Sequence, residues 1–133
     1  MMGSPVVEAG RQDNENQVGA RIGKGFWMSK TEVTQAQWVA VMKTNPSSPT
    51  ELDHPVNGVS WYDCQEFISR LPVLGGGWRF ALPTEAQWEY ACRAGTSTSC
   101  PGSLDEIAWH WQNANADLHA VAKKKQMRGD YMI

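Results

Sequence analysis

The chain has little cysteine, no long apolar run and almost no charge imbalance. Nothing in its 133 residues approaches the roughly 20 consecutive apolar residues of a membrane span. No basic segment followed by an apolar one opens it, so no secretory leader is expected. Lys and Arg number 12 against 14 Asp and Glu, a net charge of −2. That balance gives no basic face for nucleic acid and no pull towards an anionic membrane. Cys64, Cys92 and Cys100 are the only cysteines. They are odd in number and lack the spacing of a disulfide framework. Cys64 and Cys92 fall on expected buried helix faces, where a free thiol behaves as a small apolar group. Reduced thiols point to a cytoplasmic setting.

Several chemical signatures are missing as well. No Gly-x-Ser-x-Gly elbow is present for a serine nucleophile. Gly75-Gly76-Gly77 is followed by neither Lys-Ser/Thr nor a helix, so it is a turn and not a phosphate loop. His54, His110 and His119 lie in three separate segments, without the short paired spacings of a structural zinc site. His54, in His-Pro-Val, reads as a loop residue making a local hydrogen bond. Glu85 and Glu89, one turn apart, read as a solvated face. Lys123-Lys124-Lys125 reads as an exposed charge run.

What the chain has in excess is tryptophan, seven in all. Each brings a large apolar area and an N–H that needs a partner when buried. The length suits a single domain over residues 1–133, with a core but little surplus. Its most patterned stretch runs from Trp78 to Thr96. Residues 79–82 alternate polar and apolar, as a half-buried strand does, and Pro83 stops them. Thr84 then stands at a helix N-cap with Gln87 three residues on, a capping box. Glu85 suits the positive end of the helix dipole, and Gly95 supplies the left-handed residue that closes the helix. Trp88, Ala91 and Cys92 share one face, which is expected to be buried.

The same logic recurs earlier. Residues 1–25 read as polar loop and residues 26–33 as a strand. Thr34 caps a helix with Gln37 at the third position, Val33 and Trp38 form a hydrophobic staple, and Trp38, Val41 and Met42 mark the buried stripe. Asn45-Pro46 stops that helix. Ser60 caps a third helix with Asp63 three residues on. There Cys64, Phe67, Ile68 and Leu71 follow amphipathic spacing, and Pro72 ends the run.

The run Leu82-Pro83-Thr84-Glu85-Ala86-Gln87-Trp88-Glu89-Tyr90-Ala91 resembles the signature of the formylglycine-generating enzyme family, also called sulfatase-modifying factors. The family form begins with Arg where this chain has Ala81. Glu32-Val33-Thr34-Gln35, Asn45-Pro46-Ser47, His54-Pro55-Val56 and Val59-Ser60-Trp61 are similar to family motifs in order and spacing. So is Met2-Gly3-Ser4-Pro5, followed by Glu8 and Arg11. Past Gly95 the resemblance continues through Ser103-Leu104-Asp105-Glu106-Ile107-Ala108-Trp109, Asn113 and Val121 with its lysines. Gly129-Asp130-Tyr131-Met132-Ile133 stands where the family continues into a Gly-Leu-Tyr-Asp-Met-like turn.

The resemblance implies an irregular α+β fold of the complex C-type-lectin-like kind, here with three short capped helices and several short strands. It also implies a chemistry. Family enzymes oxidise a sulfatase cysteine to formylglycine with oxygen and copper(I), which a pair of cysteines near the end of the domain holds. Soft thiolates suit that ion. Those cysteines would lie beyond Ile133, and none of Cys64, Cys92 or Cys100 matches their motif. No catalytic residue is therefore carried over, and copper is expected only of the full family domain. The expectation is a shortened family domain without oxidase activity of its own. The alternative is a non-enzymatic binding or assembly module with a protein or peptide partner. Asn113 resembles a position where some family members bind calcium. Seven indoles in so short a chain further suggest self-association, as a two-fold dimer with C-terminal segments exchanged from Trp109 onward.

Overall fold

In the computed structural model, residues 1–8, 10–72, 78–93, 95–98 and 101–125 are described. The triple-glycine turn, Cys100 and the terminal Gly129-Asp130-Tyr131-Met132-Ile133 lie outside them. Among the described residues the chain forms α1 (Gln35–Met42), α2 (Trp61–Arg70), α3 (Glu85–Arg93) and α4 (Leu104–Ile107). It gathers into two compact units. The first comprises Met1–Met28, Pro83–Ala108 and Lys125–Ile133; the second comprises Ser29–Leu82 and Trp109–Lys124.

The expected strands do not form. Residues 79–82 are irregular, and residues 26–33 are irregular apart from a bridge position at Trp27. Alternation describes a strand's two faces but does not supply the neighbour whose hydrogen bonds make a ladder. Isolated antiparallel bridges, Met2 with Val18 and Thr34 with Pro55, join segments without extending into a sheet.

In the second unit, α1 begins where expected. The Thr34 hydroxyl accepts from the Gln37 amide, and the Gln37 side chain returns to the Thr34 amide. The next two amides, which a helix start leaves unpaired, are taken up from outside the helix. Gln35 N–H donates to His54 O at 2.9 Å and Ala36 N–H to Leu52 O at 3.0 Å. The loop after Pro46 thus folds back over the start of α1. The helix closes at Lys43, which is left-handed at φ 65° and ends it before Asn45-Pro46.

The centre of this arrangement is the Gln35 side chain, which is 0% exposed. Its amide nitrogen donates to Pro49 O at 3.1 Å and Pro55 O at 3.4 Å. Its oxygen accepts from Asn45 Nδ2 and from Glu51 N–H, both at 2.9 Å. Two donors and two lone pairs are the full capacity of an amide side chain. Ser47, also buried, extends the network: its hydroxyl accepts from Asn57 N–H at 3.1 Å. Gly58, at φ 70°, lets the chain pass Pro46, whose carbonyl oxygen would lie 3.1 Å from an added Cβ.

Beneath this polar knot, Trp38 of α1 stacks on Phe67 of α2 with ring centroids 5.0 Å apart and planes 3° from parallel. Ser60 caps α2, and Asp63 closes the capping box as expected.

In the first unit, Thr84 and Gln87 make the capping interactions at the start of α3. Gln87 N–H donates to Thr84 Oγ1 at 3.3 Å, and Thr84 N–H donates to Gln87 Oε1 at 2.9 Å. Gly95 is left-handed at φ 79°. Ala91 is buried and Cys92 half-buried, but Trp88, expected on the same buried face, is 59% exposed. Helical spacing fixes which residues share a face; it does not fix whether anything covers them.

Removing the Gln35 amide strands two carbonyl acceptors, Pro49 O and Pro55 O, and two donors, Asn45 Nδ2 and Glu51 N–H, at once. Each unsatisfied group costs about 1–3 kcal/mol, so Gln35→Ala is expected to lower stability by at least about 2 kcal/mol in urea melts. Gln35→Glu, which keeps the acceptor and loses both donors, is expected to lower it too. At the second cap, Thr84→Ala is expected to lose about 0.5–2 kcal/mol and Thr84→Ser much less. Equal melts for all three Thr84 proteins would disprove the cap.

Candidate functional site

The polar side chains that the first unit brings together come from the two ends of its sequence. The Met2-Gly3-Ser4-Pro5 segment is a folded loop. Met2 and Val18 exchange both backbone hydrogen bonds, and Ser4 N–H donates to Glu15 O at 2.9 Å. Gly3 sits at φ 90°, where an added Cβ would lie 2.5 Å from Asn16 O, so only glycine fits. The buried Ser4 hydroxyl lies 3.1 Å from both Glu8 Oε1 and Glu15 Oε2, donating to one carboxylate at a time. Arg11 Nε donates to Ser4 O.

Helix α3 reaches into this loop with Glu89 and Arg93. The Glu89 carboxylate takes the Gly3 N–H on both oxygens, at 2.9 and 3.1 Å. Arg93 Nε donates to Glu89 Oε1 at 2.7 Å. The rest of its guanidinium donates to Glu8 Oε2 at 3.2 Å, Thr98 O at 3.0 Å and Gly3 O at 3.3 Å. A planar fork of five donors can serve such a set; a lysine ammonium cannot.

Electrostatics favour the charged forms. Burial works to raise the Glu89 pKa, but hydrogen bonds from Arg93 and the Gly3 amide, with the charge of Arg93, outweigh it and hold the carboxyl below its ordinary value. Arg93 is pushed up by its hydrogen bond to Glu89, against burial, with help from Glu8. Glu89 is therefore not the solvated carboxylate that its spacing from Glu85 suggests.

In the second unit, Asn113 sits in a tight turn. Its side-chain oxygen accepts from His110 N–H at 2.8 Å, and its own N–H donates to His110 O at 3.0 Å. Trp109 stacks on His119 with ring centroids 3.7 Å apart, and Lys124 Nζ lies 3.8 Å from the centroid of the indole ring. The cation over the indole face is attracted by its quadrupole. In the first unit, Lys125 pairs with Glu106 at 2.9 Å. Two of the three lysines are thus engaged with side chains, and the run is not merely solvated.

Sequence spacing did not single out the grouping of Glu51, Asp53 and His54, whose ligand-type atoms lie within 4.8 Å of one another. Both carboxylates are exposed, and His54 Nδ1 lies 2.9 Å from Asp53 Oδ1, the local hydrogen bond expected of it. The first unit also has a cavity of about 350 Å³ whose lining includes Met1, Arg21, Ile22, Lys24 and Tyr90. No described helix is long and apolar enough to cross a membrane.

Two loops pinned by motif residues, one around Gln35 and one around Glu89 and Arg93, are what the conspicuous sequence motifs build. Residues 2–131 match the model of the sulfatase-modifying factor enzyme 1-like domain, and the chain belongs to that family. Among curated proteins it is similar to one described as "Chaperone protein LppX" from Paenibacillus barcinonensis, at 29% identity over 143 residues. The match covers 80% of this chain and 48% of that protein, so the chain spans about half the relative's length. No solved structure matches.

A folded pKa below the unfolded one adds stability above the unfolded value and loses it as pH falls through the folded value. Stability of the first unit is therefore expected to drop as pH falls below the ordinary glutamate value of 4.5. Glu89→Gln is expected to be less stable at pH 7 and to show a flatter acid limb. Urea melts across pH 3–7 check this; the same acid limb in both proteins would remove Glu89 from the account.

Proposed function

We propose that this chain is a binding or assembly module built on the sulfatase-modifying factor framework, and that it does not oxidise cysteine by itself. One observation carries the reading. Gln35, Asn45, Ser47, Glu89 and Arg93 turn their polar groups onto the chain's own loops, while Trp61, Tyr62 and Trp88 face solvent. The motif polar groups build scaffold, and exposed aromatic side chains are enriched where proteins meet other proteins.

Cysteine oxidation of the family's kind needs thiolates gathered to hold copper(I). None of Cys64, Cys92 or Cys100 matches the paired-cysteine motif of the family. The name of the Paenibacillus relative, a chaperone protein, accords with binding more than with chemistry. The finer fold that goes with this reading is the complex C-type-lectin-like one. The family match and the short capped helices support it; among the described residues the expected strands appear only as single bridges.

The test is direct. The chain is incubated with copper(I), oxygen and a Cys-x-Pro-x-Arg peptide, and the peptide is followed by mass spectrometry. The expected result is no conversion beyond a copper-only control. Conversion to formylglycine above that control would overturn the proposal.

A further inference from the structure

The first unit commits its carboxylates unevenly. Glu8 and Glu15 take the Ser4 hydroxyl between them, Glu89 takes the Gly3 amide, and Arg93 binds both Glu8 and Glu89. Arg21 and Lys24 follow that loop in sequence and have no carboxylate of their own. Among the described residues, neither side chain makes a hydrogen bond or an ion pair.

Both cations line the same cavity of about 350 Å³, with Ala20, Ile22, Gly25 and Tyr90. Among its described lining residues there is no Asp or Glu. A hollow lined by charge of one sign focuses its field and concentrates ions of the other. The chain as a whole is slightly acidic, at a net charge of −2, so this positive field is local and not a property of the surface at large. The volume is at the lower end of the roughly 300–1,000 Å³ of small-ligand sites. It admits one small group and not the face of a folded protein.

The lining also says which anion fits. Arginine offers a planar fork of donors and lysine a point charge, and both recognise phosphate oxygens. A phosphomonoester carries about −1.5 to −2 at pH 7, which two cations balance. A single carboxylate would leave one of them unmatched. Ala20, Ile22 and the ring of Tyr90, on α3 and 53% exposed, supply apolar wall beside the charge. An aromatic ring of that kind favours another ring packed against it.

We propose that this cavity binds a phosphomonoester carried on a small apolar or aromatic body. The site uses none of the exposed aromatics behind the binding-module reading and does not depend on whether the chain oxidises cysteine.

Isothermal titration calorimetry of the 133-residue chain with phenyl phosphate, in low-salt buffer free of phosphate, tests this. Saturable binding at one site is expected, and benzyl alcohol, which keeps the ring without the charge, is expected not to bind. Arg21→Gln and Lys24→Gln are each expected to weaken phenyl phosphate at least tenfold, with helix content unchanged by circular dichroism. Lys30→Gln makes the same change of charge at a residue of the second unit and is expected to leave binding as it was. A peptide carrying phosphotyrosine separates the two sources of the group. Affinity at least tenfold above that of phenyl phosphate identifies a modified partner protein, and equal affinity identifies a small phosphate ester; either supports the site. Absence of saturable binding overturns the proposal. So does binding that survives both cavity substitutions, falls equally with Lys30→Gln, or is matched by benzyl alcohol.

Discussion

A buried amide must have all its partners or it destabilises the fold that buries it. Gln35 meets that condition with two proline carbonyls, one asparagine side chain and one backbone amide. These partners come from both sides of a long irregular loop, so the one side chain sets the loop's course. The same course carries Leu52 O and His54 O to the first amides of α1. It also brings Pro55 beside Thr34. In a unit with no ladder among its described residues, a fully satisfied polar centre takes the place that strand pairing fills elsewhere.

The first unit uses charge for the same purpose. Arg93 and Glu89 are an ordinary i,i+4 pair on α3, and exposed pairs of that kind add little. Here both are largely buried, and both also hold Gly3 through its backbone. Glu8 supplies a second carboxylate, so the guanidinium is held by two acceptors where it is largely shielded from water. Removing Arg93 would leave both carboxylates uncompensated, the circumstance in which a buried pair matters most.

Local chemistry was legible in the sequence, and long-range chemistry was not. Thr34, Ser60 and Thr84 could be placed as caps because a cap and its partner lie three residues apart. Gly95 was legible for the same reason. The role of Gln35 was invisible, since its partners lie 10 to 20 residues away and most are backbone groups with no sequence signal. The latch of Glu89 and Arg93 was half visible, as a helical pair but not as a clamp on Gly3. Trp88 and the expected strands failed for one shared reason: periodicity describes a segment's own faces, and burial or pairing depends on what lies opposite. Of the site candidates, Asn113 was placed by resemblance alone, and its turn follows from a hydrogen bond to His110 that spacing does not announce.

The separation of these contacts along the chain also sets an order of assembly. The Gln35 network closes over short loops, and its partners lie within residues 35–55. The clamp on Gly3 joins residues 86 and 90 positions apart. Closing so long a loop carries a larger entropic penalty, and α3 leaves a ribosome only after every partner of the Gln35 network has done so. A nascent chain would therefore hold its α1 region folded while its first residues still wait for α3. Damage to Gly3, Glu8 or Arg93 would act on the last step of folding, leaving a species with one finished unit and one open one.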